Sequence, residues 1–247
     1  MTPNSPTATP IRVVVATHPG LVREENQDQF CVAGIVSGGH VVAPIPVVTH
    51  GGFIAAVIDG MGGHAGGRVA ARTVAETLAE PSGVWNGIVD QLRGADARLY
   101  DLMDHQPQLR GMGATVVLLV IDEHGWTLCN VGDARAYLHR DGYSVVVSTD
   151  DRVRGSDGVI SQSLGGADRP VGFQPHITPL EVHAGDRLLL CSDGLSDVVP
   201  LAEIQEALAQ PLDLTDVVAQ LIEAALAAGA PDNVTIVALE VPEPVTD

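Results

Sequence analysis

Apolar residues follow two rhythms along this chain. Runs dense in Val, Ile, Leu and Ala predict strands at 12–16, 29–35, 53–59, 114–122, 126–132, 134–140, 143–148, 187–192 and 234–241. Several are continuously apolar, as strands covered on both faces are. The turn signals Glu123-His124-Gly125 and Asp141-Gly142 join two pairs of runs into antiparallel hairpins. Helical spacing replaces this pattern at 69–80, where Val69, Thr73 and Leu78 share a face, and at 84–104, striped by Trp85, Ile88, Leu92, Leu99 and Leu102. It returns in a short helix at 201–210 and a longer one at 215–228, with Thr215 as expected N-cap and Gly229 as C-cap.

The order is strands, two helices, a long strand series, two helices and a last strand, with no linker and no internal repeat. It predicts one α+β domain over 11–241, with helices packed outside antiparallel sheets. Residues 1–10, rich in Pro and Thr, are expected to be a disordered tail, and 242–247 a short C-terminal one.

Composition narrows the chemistry. Aromatics are only 3% of 247 residues, so aliphatic side chains must fill the core. The formal charge of -18 repels phosphate backbones and anionic lipid, which excludes a nucleic-acid or membrane surface. All 13 basic residues are arginine, and without a lysine the P-loop NTPase, protein kinase and Schiff-base mechanisms are excluded. Cys31, Cys129 and Cys191 form no CxxC pair and are expected to be small buried hydrophobes. No signal peptide is visible, and the longest apolar run, 116–121, is far short of the roughly 20 residues that a membrane span needs. A soluble, cytoplasmic protein is expected.

The strongest chemical pattern is a set of aspartates at the ends of apolar strands. Asp59-Gly60 follows 53–58, Gly132-Asp133 follows 126–131, Asp193-Gly194 follows 187–192, and Asp232-Asn233 precedes 234–241. Singly, each resembles an ordinary Asp-Gly turn. If the ends converge, the carboxylates cannot all stay ionised a few ångströms apart without a cation. An all-oxygen donor set favours Mg2+ or Mn2+ over zinc. Two such ions bridged by a carboxylate bring a shared water close to ionisation at neutral pH and stabilise a phosphoryl group in displacement. Arg23 would hold the phosphate and His64 would protonate the leaving alkoxide.

These motifs resemble the protein phosphatase 2C family of metal-dependent phosphatases, bacterial type, over residues 12–241. The resemblance rests on Arg23-x-x-Asn26-x-Asp28, Asp59-Gly-Met-Gly-Gly-His64, Gly111-Met-Gly-Ala-Thr115, Gly132-Asp-Ala-Arg-Ala-Tyr137, Thr149-Asp-Asp151, Ser163-Leu-Gly165, Cys191-Ser-Asp-Gly-Leu195 and Pro231-Asp-Asn-Val-Thr235, all in the family's order. It implies a four-layer α/β-β/α sandwich, with two central antiparallel sheets flanked by helix pairs. It implies a serine/threonine phosphatase in which a water or hydroxide bridging two metal ions attacks the phosphomonoester directly.

By the same resemblance, Asp59 would bridge two Mn2+ or Mg2+ ions and the Gly60 carbonyl would ligate one. Asp193 and Asp232 would complete the pair, and Asp133 with Asp193 would hold a weaker third ion. Arg23 would bind the phosphate and His64 act as general acid. Asp28 would orient Arg23 or a metal-bound water, and Gln27 stands where a glutamate is frequent. Arg135 is expected in an internal ion pair, Asp150 and Asp151 either behind the metal ligands as supporting carboxylates or in a polar turn, the turn being favoured, and Thr115 and Thr235 as core or supporting hydroxyls.

The family's flap subdomain is reduced here to residues 152–160, which implies a more open substrate face. Residues 36–52 look like an added loop or extended hairpin between two early strands, with a surface loop favoured. Phosphoproteins modified by a bacterial serine/threonine kinase are the expected partners of a monomer. Two other readings stand beside the enzyme: a catalytically weak phosphoprotein-binding module of the same fold, and a nucleotide-binding protein using 60–67 as a phosphate cradle. The second lacks a lysine, a GK[ST] sequence and strand–helix alternation.

Overall fold

The computed structural model describes residues 11–37, 41–45, 52–80, 87–156 and 158–243, with 41–42 and 63–65 as backbone alone. The strands are β1 (Arg12–His18), β2 (Gln29–Val32), β3 (Ile35–Val36), β4 (Val41–Ile45), β5 (Phe53–Met61), β6 (Gly113–Asp122), β7 (Gly125–Val131), β8 (Arg135–Arg140), β9 (Tyr143–Val146), β10 (Leu164–Gly165), β11 (His176–Leu180), β12 (Arg187–Cys191) and β13 (Val234–Glu240). One sheet runs β4-β1-β13-β12-β8-β9 and the other β11-β7-β6-β5-β2-β3, with β10 added beside the start of β6. Every pairing is antiparallel. The helices are α1 (Gly63–Ala79), α2 (Ile88–His105), α3 (Asp193–Ser196), α4 (Leu201–Ala209) and α5 (Leu214–Ala227).

Strand alternation explains the layers. In β5, Phe53, Ala55 and Val57 face the opposing sheet, while Ile54, Ala56 and Ile58 face α1 and α2. In β12, Leu188 and Leu190 point between the sheets, whereas Leu189 and Cys191 point to α4 and α5. The central strands are thus buried on both faces, which is why their sequences read as unbroken apolar runs. Three cores result, one between the sheets and one under each helix layer, giving the four-layer α/β-β/α sandwich. Full burial of one Leu such as Leu190 contributes about 1.5–3 kcal/mol. All three cysteines are free and buried in the outer cores: Cys31 and Cys129 under α1 and α2, Cys191 under α4 and α5. Burial raises their thiol pKa values to about 11, 12 and 12 respectively.

The expected elements are present, with informative differences. The run 29–35 is a tight hairpin, because Ala33 and Gly34 both take positive φ (49° and 82°) and break it into β2 and β3. Within the stretch 36–52, residues 41–45 form β4, which pairs with β1 and extends the first sheet. Its Pro44 is tolerated because β4 is an edge strand. Residues 38–40 and 46–51 lie outside the described part, as do the expected tails at 1–10 and 244–247 and the start of the 84–104 helix.

The longer C-terminal helix begins at Leu214, and its N-cap is Asp213, not Thr215; the Asp213 carboxylate accepts the Thr215 amide at 2.9 Å. Ala228 is the C-cap, and Gly229, with φ 98°, is the left-handed residue after it. No helix among the described residues is long and apolar enough to cross a membrane.

Asp213→Ala is expected to lower the unfolding free energy by about 1 kcal/mol in a urea titration, and Thr215→Ala by less. The reverse order would return the cap to Thr215.

Candidate active site

The alternation that builds the central core also builds the site. Continued to the strand ends, the inward-facing positions become Thr17 of β1, Asp28 just before β2, Asp59 of β5, Thr115 of β6, Ser192 just after β12 and Thr235 of β13. At this end of the sandwich the layer between the sheets turns from apolar to polar. Asp59 lies opposite Thr115. Ser192 Oγ donates to Asp28 Oδ2 at 2.7 Å and accepts the Thr235 amide at 2.9 Å, while the Thr17 and Thr235 hydroxyls meet at 2.8 Å.

A cavity of about 600 Å³ opens here, lined among others by Arg23, Gln27, Asp59, Gly60, Thr115, Asp133, Asp193 and Asp232. The four expected aspartates therefore do converge. Gly60 is required where β5 passes α1, because a Cβ there would collide with the Gly67 carbonyl and lie 2.7 Å from the Gln27 carbonyl oxygen. Gly132, with φ 99°, turns the chain from β7 into Asp133 and leaves no room for a side chain beside Thr115.

Electrostatically the cluster is overloaded. Desolvation raises the Asp59 pKa well above the usual carboxylate range, and the neighbouring charges of Asp28, Asp193, Asp232 and Asp133 add to it. Desolvation likewise lifts Asp193 to about 6 and Asp28 to about 7. The neighbouring charges of Asp133, Asp232 and Asp197 add to the rise at Asp193. Burial also raises Asp133, against the opposing pull of Arg152.

Arginines supply part of the missing charge. At the cavity mouth Arg23 forks onto Asp232, Nε to Oδ1 at 3.0 Å and Nη2 to Oδ2 at 2.6 Å. Inside, Arg152 Nε donates to Asp133 Oδ2 at 2.9 Å. Among the described residues no trio of side chains stands as a finished metal cage, since Asp232 and Asp133 turn to these guanidiniums. The donor set nevertheless fits hard divalent ions. It offers buried carboxylates short of positive charge and, on the cavity wall, the Thr115 hydroxyl, which is buried without a hydrogen-bond partner.

The remaining expected residues divide. Asp28 turns to Ser192 and Thr235 rather than to Arg23. Gln27 lines the cavity, and its backbone amide donates to Asn233 Oδ1 at 2.8 Å. His64 falls in the first turn of α1, and its side chain is outside the described residues. Arg135 does form an internal pair, with Asp150 at 2.6 Å. Asp151 is more than part of a polar turn: it is buried and accepts from the Gly132 amide at 2.9 Å and from Gln162 at 2.7 Å, and it meets His176 at 2.8 Å.

Two contributors escaped the sequence reading. Asn233 clamps the Arg23 loop, donating to the Pro19 and Glu25 carbonyls at 2.8 and 2.9 Å. Its position beside Asp232 in Pro231-Asp-Asn was the available signal. Arg152 had none, because its importance comes from a loop folding back on itself.

The fold and the carboxylate cavity belong to one class of protein. Residues 46–235 match the profile of the family described as protein phosphatase 2C, and the chain belongs to that family. It is 33% identical over 254 residues to the serine/threonine protein phosphatase PstP of Mycobacterium tuberculosis, covering 94% of this chain and 45% of PstP. This chain thus spans less than half of that relative. The crystal structure of the PstP catalytic domain with two manganese ions superposes with a TM-score of 0.77 at 32% identity, covering 95% of this chain and 99% of that one. The phosphatase MsPP of Mycobacterium smegmatis, solved with cacodylate, gives 0.75 at 26% identity, covering 93% and 97%.

An unfolded aspartate loses its proton at about pH 4, whereas folding holds that of Asp193 to about 6 and that of Asp28 to about 7. Stability from these groups is fully present below about pH 4 and is lost as the pH rises through about 7. In chelating buffer the Tm is expected to be lower at about pH 8 than at about pH 5, with Asp28→Asn flattening the slope. A Tm that climbs over this interval would mean that the carboxylates stay ionised.

Proposed function

We propose that this chain is a metal-dependent protein-serine/threonine phosphatase that hydrolyses phosphomonoesters. The observation that carries this reading is the convergence of Asp59, Asp193 and Asp232 with Arg23 in one cavity. The family and the manganese-bound catalytic domain of PstP support it.

In this reading Asp59, Asp193, Asp232 and the Gly60 carbonyl would hold two Mn2+ or Mg2+ ions. When bound, the ions supply Lewis acidity toward phosphoryl oxygens and bring a water close to ionisation at neutral pH. Arg23 binds and orients the phosphate. Its planar fork already grips two oxygens of Asp232, and its side chain is more than half exposed at the mouth, where a phosphate can take the same grip. Asn233 holds the loop that aims Arg23. Asp28 is fixed by Ser192 and adds its charge to the field felt by Asp59. His64 is assigned the proton delivered to the leaving serine or threonine oxygen.

The substrates are phosphoproteins, here assigned to a bacterial serine/threonine kinase whose signal the enzyme reverses, and the protein acts as a cytoplasmic monomer. The short segment between Asp151 and Ser161 leaves the phosphate entrance open to a protein surface.

Hydrolysis of a chromogenic phosphate ester is expected to require Mn2+, to stop in chelator, and to fall about a hundredfold or more in Asp193→Ala. Arg23→Ala is expected to raise KM more than it lowers kcat. An absence of turnover with every divalent metal, together with retained phosphoprotein binding, would instead make the chain a binding module.

A further inference from the structure

Asp133 is almost fully buried, with 5% of its side chain exposed, and it shares the cavity with three other aspartates. Such a carboxylate needs a cation close by. The structure supplies one from the chain itself. Arg152 donates through Nε to Asp133 at 2.9 Å and through Nη2 to both oxygens of Asp197 at 2.8 Å.

The guanidinium is held there by the segment that carries it. Its neighbour Asp151 exchanges backbone and side-chain hydrogen bonds with Gly132, the residue before Asp133. Arg152 forms a β-bridge with Ile160, and the Val153 amide donates to the Val159 carbonyl at 2.8 Å. The Ser161 amide closes the stem on the Asp151 carbonyl at 2.6 Å. The reduced flap is therefore a short closed loop whose stem delivers Arg152, while Gly158 and Ile160 reach the cavity wall.

We propose that Arg152 is a resident counter-cation for Asp133, so that this position takes no divalent ion and the site is limited to the ions held by Asp59, Asp193 and Asp232. This rests on the metal-dependent reading above. A guanidinium does not lose its charge at any physiological pH. A divalent ion at Asp133 would have to expel it or sit against it as a like charge. Asp133 then acts as a positioning residue that ties the loop to the rim.

The test is a count of bound Mn2+ by equilibrium dialysis and elemental analysis of the full chain, across rising free metal. The wild type is expected to saturate at about two ions, and Arg152→Gln to take up about one more, weakly, which Arg152→Gln/Asp133→Asn loses again. Arg152→Lys is expected to keep the wild-type count, and Asp197→Asn, which frees one side of the guanidinium while leaving the stem intact, to show partial uptake. Circular dichroism establishes that each variant is folded, and Asp197→Asn carries the test should Arg152→Gln be unstable. An extra ion in the wild type that Asp133→Asn removes, or an unchanged count in both Arg152→Gln and Asp197→Asn, would overturn the inference and leave the two-ion reading standing. A wild type that binds no divalent ion would overturn both.

Discussion

Mutual repulsion among buried carboxylates is the constraint from which the site is built. Asp28, Asp133, Asp193 and Asp232 all make Asp59 harder to ionise, Asp193 and Asp232 do the same to Asp28, and no lysine is available to offset it. Such a cluster persists only because the rest of the molecule over-determines it. Asp59 is carried by a strand whose preceding residues, 53–58, are fully committed to two cores. Asp193 opens a short helix separated from β12 by Ser192 alone, and Asp232 is separated from β13 by Asn233 alone. The fold supplies the rigidity and the cluster supplies the demand for positive charge, which is what a catalytic metal centre uses.

Arginine meets part of that demand in a graded way. Arg23 at the mouth is exposed and free to exchange partners, whereas Arg152 is three-quarters buried and divided between two carboxylates. Further out, Arg187 and Arg140 play purely architectural parts. Arg187 donates to the carbonyls of Leu208, Gln210 and Leu212 and so holds the link between α4 and α5, while Arg140 forks onto the buried Asp186. In a chain with 31 acidic residues and 13 arginines, the position of each arginine carries more information than the net charge.

What could be read in the sequence follows the same logic. The central strands were legible because burial on both faces leaves an unbroken apolar run, and the site aspartates because they end such runs. β11 was not: as an edge strand it alternates between half-buried and exposed residues and contains Pro179. β4 was hidden by Pro44 for the same reason. The cap of α5 was misplaced because Asp213 and Thr215 are both good cap residues two positions apart, and only backbone geometry chooses. Asp150 and Asp151 looked like a turn because their partners, Arg135, His176 and Gln162, are distant in sequence. The role of Arg152 depends on contacts across 19 and 45 positions, which no local pattern encodes.

The cysteines give the sandwich a use of their own. With no disulfide and every thiol sealed in an apolar layer, the native protein presents almost no thiolate to an alkylating reagent. Their distribution is uneven: two sit under one helix pair and one under the other. Each outer layer thus contains its own chemical clock, and the rate at which each thiol is labelled reports whether the two halves of the sandwich breathe together or separately.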